Sequence, residues 1–249
     1  GDRDNLVITS KCTQPVGDDI NARGSNRRHV VQAVENSLRR LGTDRIDVLF
    51  MHQFDHSLPI EEILRGLENV VQSGKALYIG ASNYAAWQIA KALGISERRG
   101  WARFDVIQPM YSLVKRQAES EILPMAQSEN IAVISYSPVG AGALSGKYGP
   151  DMRPDEGRLV TSQQYAKRYS ADGTLETAAA FTEFAGNIGV HPVSLAVAWV
   201  AGHPAITSPI IGARNAEQLK PALQSIGIDM TLDLRSRISA LSRAPAPAH

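Results

Sequence analysis

The sequence holds a single cysteine, Cys12, in 249 residues. An internal disulfide is therefore excluded, which fits a reducing compartment. Charge of either sign is scarcely in surplus. The 26 Lys and Arg against 25 Asp and Glu leave a formal net charge of +1. That gives no electrostatic case for nucleic acid or an anionic membrane surface as partner. No apolar run reaches the roughly 20 residues of a membrane helix, and no secretory leader is visible. There is no repeat of the solenoid kind. Gly140, Gly142 and Gly146 miss the spacing Gly-x-Gly-x-x-Gly, which counts against a Rossmann dinucleotide loop. With 43% apolar and 20% charged residues, the composition is that of a globular protein, expected to be cytoplasmic.

What is present is an alternation of short apolar runs and helical patterns. Leu6–Thr9 reads as a strand, and a helix from Asn26 to Leu41 is stopped by Gly42. Ile46–Met51 reads as the second strand. A helix opens at Pro59, carries Ile60, Ile63, Leu64, Leu67 and Val71 on one face, and ends at Gly74. Strands are predicted at Leu77–Ile79, Phe104–Gln108, Ile131–Tyr136 and Ile206–Ile211, with helices between them. One of these helices is predicted from Gln117 to Glu129. Gly140–Gly173 is a long loop, and a connection of that length inside a compact domain is usually functional. Apolar runs, each followed by a helix, imply parallel strands covered by helices. Six strands are visible where a closed α/β barrel needs eight. Periodicity alone does not separate part of a barrel from an open doubly wound sheet. No linker composition divides the chain, so one domain over residues 1–243 is expected, with an unstructured tail at 244–249.

Every predicted strand ends in polar residues. Lys11 follows the first, His52 the second, Ser82 and Asn83 the third, Gln108 the fourth and Tyr136 with Ser137 the fifth. Gly212, Ala213 and Arg214 follow the sixth. In parallel α/β folds, ligands bind at this edge. Polarity returns at strand ends in any protein, but a Lys, a His and two side-chain amides at one edge form a more specific set. His56 stands four residues after His52, the spacing of a metal pair on a helix. Ser57 and Pro59 argue against a helix there, so no metal is expected. Trp87 and Trp101 read as packing residues, and Cys12 as a buried, inert thiol.

The residues themselves resemble a family. Asp44-Arg45-Ile46-Asp47-Val48-Leu49-Phe50-Met51-His52, the run from Ser73 through Gly80 to Asn83, Ser135-Tyr136-Ser137-Pro138, Gly146-Lys147-Tyr148 and Ile211-Gly212-Ala213-Arg214 are similar to segments of bacterial aldo-keto reductases, in the same order and spacing. The resemblance runs from Asp2 to about Ile226. It implies an α/β fold of the (β/α)8 TIM-barrel type, with about six of the eight strand–helix units in this sequence. It also implies an NADP-dependent oxidoreductase that reduces aldehydes or ketones. By the same resemblance Lys11 and His52 are catalytic. Lys11 would lower the pKa of a tyrosine acid, and His52 would orient the substrate carbonyl. Ser82, Asn83 and Gln108 would hold the nicotinamide carboxamide, and Tyr136 would stack on the ring. Ser137, Pro138, Val139 and Gly142 would run under the pyrophosphate, with Lys147 as a further phosphate ligand. Gly212, Arg214 and Gln218 would hold the adenosine 2′-phosphate, for which the planar fork of Arg is suited.

The resemblance also marks departures. Ala222 stands where the family carries an asparagine near the adenine. The family's tetrad aspartate and its proton-donating tyrosine come from two strand–helix units that precede the strand at Leu6. This sequence opens at Gly1, and only Tyr111 and Tyr148 match the tyrosine, by residue type alone. Residues 1–249 by themselves are therefore expected to reduce carbonyls below the family's rate. The alternative reading is a truncated relative that binds nucleotide and serves as a binding or subunit protein.

Overall fold

The computed structural model describes residues 2–247. Contacts divide the chain into two compact units, residues 1–109 with 125–132, and residues 110–124 with 133–249. The first unit contains β1 (Thr9–Cys12), α1 (Arg27–Leu41), β2 (Ile46–Met51), α2 (Ile60–Gln72), β3 (Ala76–Ser82), α3 (Ala86–Arg99) and β4 (Phe104–Gln108). Its strands pair in sequence order, all parallel, with Lys11 opposite Phe50, Phe50 opposite Gly80 and Ser82 opposite Gln108. Each connection is a helix, as parallel pairing requires. The architecture is α/β of the (β/α)8-barrel type, and the described residues supply six strands.

The helices begin and end where local chemistry sets them. The Asn26 side chain caps α1 by accepting from His29 N, and Gly42 closes it in the left-handed region at φ 65°. Pro59 opens α2 at no cost in hydrogen bonds, because the first N–H groups of a helix have no intrahelical partner. The buried face of α2 carries Ile63, Leu64, Leu67 and Val70, rather than Val71. These side chains cover a layer that includes Leu49, Phe50, Met51, Ile79 and Phe104, all within 1% of full burial. Each such side chain contributes roughly 1.5–3 kcal/mol. Gly80 is required by close approach. A Cβ there would lie 2.6 Å from both the Phe50 ring and the Val106 carbonyl.

In this unit β1 and β3 differ most from the sequence prediction. The first begins at Thr9, not Leu6, and Leu6 and Val7 are 56% and 77% exposed. Here the Ile8 N–H goes to the Asp47 carboxylate at 2.7 Å, a side-chain acceptor in place of a strand partner. The third strand runs past its predicted end, and Leu77 and Tyr78 at its start face solvent.

α4 (Ile122–Ser128) and β5 (Ala132–Ser135) come next. The single helix predicted from Gln117 to Glu129 is instead a 3-10 turn at Gln117–Glu119 followed by α4. Pro124 explains the break. A helix starting at Ile122 holds Pro124 in its first turn, whereas one starting at Gln117 would hold it in the interior. The long loop contains a kinked 3-10 segment at Gly140–Ser145, then α5 (Arg158–Thr161) and α6 (Gln163–Arg168). α7 (Thr174–Asn187), α8 (Pro192–Ala201), β6 (Ser208–Pro209), α9 (Ala216–Gln224) and α10 (Leu232–Ser239) complete the second unit. β6 is far shorter than predicted. Thr207 N bonds Val133 O and Ile210 N bonds Ser135 O, but Pro209 between them has no N–H to give.

Of the predicted tail, Ala246 O accepts from Ser120 Oγ at 2.8 Å, and Ala248 and His249 lie outside the described residues. No single helix among the described residues is long and apolar enough to cross a membrane.

Candidate active site

In the first unit, parallel pairing carries the C-terminal ends of four strands to one edge. Lys11 is in β1, His52 directly follows β2, Ser82 and Gln108 end β3 and β4, and Asn83 follows Ser82. The five residues predicted for the carbonyl and nicotinamide end therefore share that edge. His52 N donates to Cys12 O at 3.0 Å, which fixes its backbone against β1. The Asn83 side-chain N–H groups donate to His52 O at 2.8 Å and to Ser82 Oγ at 3.1 Å. Ser82 Oγ in turn donates to Gln108 O at 2.8 Å. The single Ser82 hydroxyl proton is thus committed, and the oxygen meets any ligand as an acceptor. Asn83 sits at φ 56°, a left-handed conformation that Asn tolerates better than most residues.

Electrostatics at this edge lower the pKa of both bases. Burial pushes the Lys11 ammonium below its ordinary pKa. His52 is pushed down by burial and then by the neighbouring Lys11 charge. The Lys11 Nζ lies 5.8 Å from the Phe50 ring centroid, so its outer side is an aromatic face. Cys12 is a buried thiol raised to about 12 by burial, matching its expected inertness. His56 does not join His52. Its ring packs edge-on against Phe54 at 4.8 Å. Among the described residues no three His, Cys, Asp or Glu side chains are grouped as metal ligands.

Sequence reading missed Asp55. Its Oδ2 accepts from Ser25 N at 2.8 Å, and its Oδ1 accepts from Ser57 N at 3.0 Å and Ser57 Oγ at 2.5 Å. Burial would raise this carboxyl, but the hydrogen bonds from Ser57 and Ser25 hold it below the usual range. Asp55 ties the loop after β1 to the loop after β2. Its distance of three residues from His52 was a visible signal, and the chain around Ser25 was not. Trp87, read as a packing residue, lies 6.4 Å from Phe54 and is 62% exposed.

In the second unit, Tyr136 follows β5 and its carbonyl accepts from Tyr111 N at 3.2 Å. The next turn is unusual in backbone sign. Ser137, Gly140, Ala141, Gly142 and Gly146 all have positive φ, between 56° and 104°. Gly140, Ala141 and Gly142 are left-handed in succession, and the Gly140 and Gly142 N–H groups donate to the Ser137 and Val139 carbonyls at 2.9 and 3.0 Å. Pro138 is buried and Val139 half-buried within this turn, and Lys147 stands exposed just beyond it. Gly140 has a second reason to lack a side chain, because a Cβ would lie 2.8 Å from Val114.

Gly212 and Arg214 are exposed in the segment before α9, and Gln218 in its first turn. Asn215 caps α9 by accepting from Gln218 N at 2.9 Å, and Gln218 Oε1 accepts from Arg214 N at 3.2 Å. Gln218 therefore shapes the Arg214 backbone in addition to facing solvent. Ala222 is 6% exposed. Sequence reading also missed Arg158 and Arg168, which lie over the Tyr165 ring at 5.7 and 5.5 Å. The Arg168 charge and the Tyr165 phenol both act on Tyr136, whose pKa is raised chiefly by burial. The two tyrosines matched by type do not resemble proton donors. Tyr111 is fully buried with a raised pKa, and Tyr148 is 4% exposed. A cavity of about 710 Å³ beneath α5 and α6 is lined by Tyr148, Tyr169 and Asp172 among others, and by none of the predicted site residues.

A family profile described as the aldo/keto reductase family matches residues 1–242. Versiconal hemiacetal acetate reductase of Aspergillus parasiticus is 34% identical over 88% of this chain and 63% of its own length. The uncharacterized oxidoreductase YrpG of Bacillus subtilis is 31% identical over 98% of this chain and 74% of its own. A probable voltage-gated potassium channel subunit beta of Arabidopsis thaliana is 33% identical over 91% of this chain and 70% of its own. The chain thus spans between 63% and 74% of the length of these relatives.

Proposed function

Since the chain belongs to the aldo/keto reductase family, an oxidoreductase family that uses NAD(P)H, we propose that this protein reduces an aldehyde or ketone to an alcohol with NADPH as hydride donor. One observation carries the reading: Lys11, His52, Ser82, Asn83 and Gln108 lie at one edge of four parallel strands, with Lys11 and His52 biased toward neutrality. A carbonyl oxygen that gains negative charge is stabilised by a preorganised hydrogen-bond donor, and an imidazole N–H supplies one.

NADPH suits the residues of each unit. The turn after Tyr136 would run under a pyrophosphate, Lys147 would add a cation, and exposed Arg214 has no salt bridge to a carboxylate among the described residues. The bound nicotinamide supplies the hydride. In the first unit Ser82, Asn83 and Gln108 would hold its carboxamide; in the second, Tyr136 would offer an aromatic face to the ring. His52 would orient the carbonyl oxygen, and the proton that completes the alcohol would come from the family's tyrosine acid, whose pKa Lys11 would lower and to which no described tyrosine is assigned. Ala222, in place of a polar residue, leaves the adenosine end to Arg214 and Gln218.

Titration with NADPH and NADH by fluorescence quenching, followed by cofactor oxidation in the presence of reactive aldehydes, tests the proposal. NADPH is expected to bind tighter and to be consumed. The similarity to a potassium channel subunit beta favours a second reading, a nucleotide-binding subunit. NADPH binding without any aldehyde-dependent oxidation would select it. Failure to bind either nucleotide would sink both.

A further inference from the structure

The geometry points to Tyr111 as a positioning residue for Tyr136, held by an ionic network that extends into the C-terminal helix α10. The inference rests on the reading of Tyr136 as the support for the nicotinamide ring. The backbone link comes first. Tyr111 N donates to Tyr136 O at 3.2 Å, and Met110 pairs with Tyr136 in a parallel bridge. Where the 110–111 segment sits therefore determines where Tyr136 sits.

The Tyr111 side chain is fixed on every side. It is 0% exposed, and its ring stacks on Trp199 at 5.2 Å with a 29° interplanar angle. Its hydroxyl donates to Glu119 Oε1 at 2.6 Å and accepts from Arg235 at 2.9 Å. A phenol with both roles filled has a single orientation. Arg116 grips Glu119 through two bonds of 3.0 and 2.8 Å, and donates a third, of 3.0 Å, to Ser239 O. Arg235 and Ser239 both belong to α10, and Arg235 lies 4.9 Å over the Trp199 ring. Arg116 pairs with the Glu119 carboxylate directly and Arg235 reaches it through the Tyr111 hydroxyl, an arrangement that a well-packed apolar cluster would equal or exceed in stability. What charge-assisted bonds add over apolar packing is direction. The direction here ends on a residue whose backbone holds Tyr136.

The test compares two probes on the full-length protein: NADPH, and 2′,5′-ADP, which keeps the 2′-phosphate but lacks the nicotinamide. Tyr111→Phe deletes the hydroxyl and keeps the stacked ring. It is expected to weaken NADPH about threefold to tenfold, the worth of one hydrogen bond, and to leave 2′,5′-ADP unchanged. In a Tyr136→Ala background it is expected to do nothing further to NADPH. Arg235→Met, which leaves the Tyr111 ring untouched, is expected to give the same one-sided loss. Equal losses for both probes would reduce the network to general stability and overturn the proposal. If Tyr136→Ala weakens NADPH while Tyr111→Phe and Arg235→Met do not, the positioning role alone is overturned. If Tyr136→Ala leaves NADPH affinity unchanged, the support role of Tyr136 falls, and the inference falls with it.

Discussion

Lys11 and His52 are alike in one respect: burial disfavours the charged form of each. For a lysine at a strand end, solvation is the common fate, so its half-buried position beside Phe50 is the informative part. Lys11→Met is expected to lower turnover by about 10²–10⁴-fold while changing NADPH affinity little, because its role belongs to proton transfer. Steady-state rates beside fluorescence titration measure both quantities, and a parallel loss of affinity would reassign Lys11 to cofactor binding. At the other end, Arg214→Ala is expected to weaken NADPH roughly tenfold to hundredfold and NADH far less, since only the former carries the 2′-phosphate. Equal weakening of the two cofactors would remove Arg214 from the phosphate site. Lys11, His52, Ser82, Asn83 and Gln108 were legible because strand ends are readable and parallel strands end on the same side. The second duty of Gln218 was not legible, because a helix-capping bond depends on where α9 starts.

Among the elements, loops carry the larger surprises. The loop after β1 is secured by Asp55, which holds Ser25 and Ser57, and by a 2.8 Å bond from Gly24 N to Thr13 O. Asp55→Ala is expected to raise amide hydrogen exchange across residues 13–25 and 53–58, while the exchange of β2 and β3 stays as it was. Uniform acceleration would mean that Asp55 supports the whole unit rather than the two loops. α9 is a smaller case. Asn215→Ala removes its cap and should cost about 1 kcal/mol of stability, read as a shift in the denaturation midpoint. The helices α1 and α2 were legible to within a residue because Asn26, Gly42 and Pro59 are strong local signals. The break before α4 and the shortness of β6 follow from Pro124 and Pro209, each acting through a missing N–H whose effect depends on the element around it.

For the molecule as a whole, pH is a probe of buried histidine. His203 is pushed down to about 4, by burial first and then by Arg235, with Glu119 opposing and Arg116 adding to the effect. Its Nδ1 accepts from Ala205 N at 3.1 Å, so protonation also removes a hydrogen bond. A histidine whose folded pKa lies below its ordinary value binds its proton more weakly folded than unfolded. Stability is therefore expected to fall as pH drops from about 6.5 through about 4, and to be flat in this respect above 6.5. His203→Gln should flatten that slope in denaturant titrations at several pH values. His52, lowered in the same direction, would leave a residual slope. An unchanged slope in His203→Gln would place the acid sensitivity elsewhere.

By itself the sequence determined the class of the fold, the order of its elements and the family. Apolar period, caps and turn residues act within a few positions along the chain, and the motifs from Asp44 to Asn83 are contiguous. It also determined which residues end the strands, and so which polar groups meet at one edge. Only the tertiary structure decided what those groups do once there. The committed proton of Ser82, the three-way grip of Asp55 and the network from Glu119 through Tyr111 to Arg235 join positions separated by 26, 30 and 124 residues. Hydrogen bonds and desolvation depend on distances through space, and no local pattern in the chain encodes which distant partner will be within 3 Å.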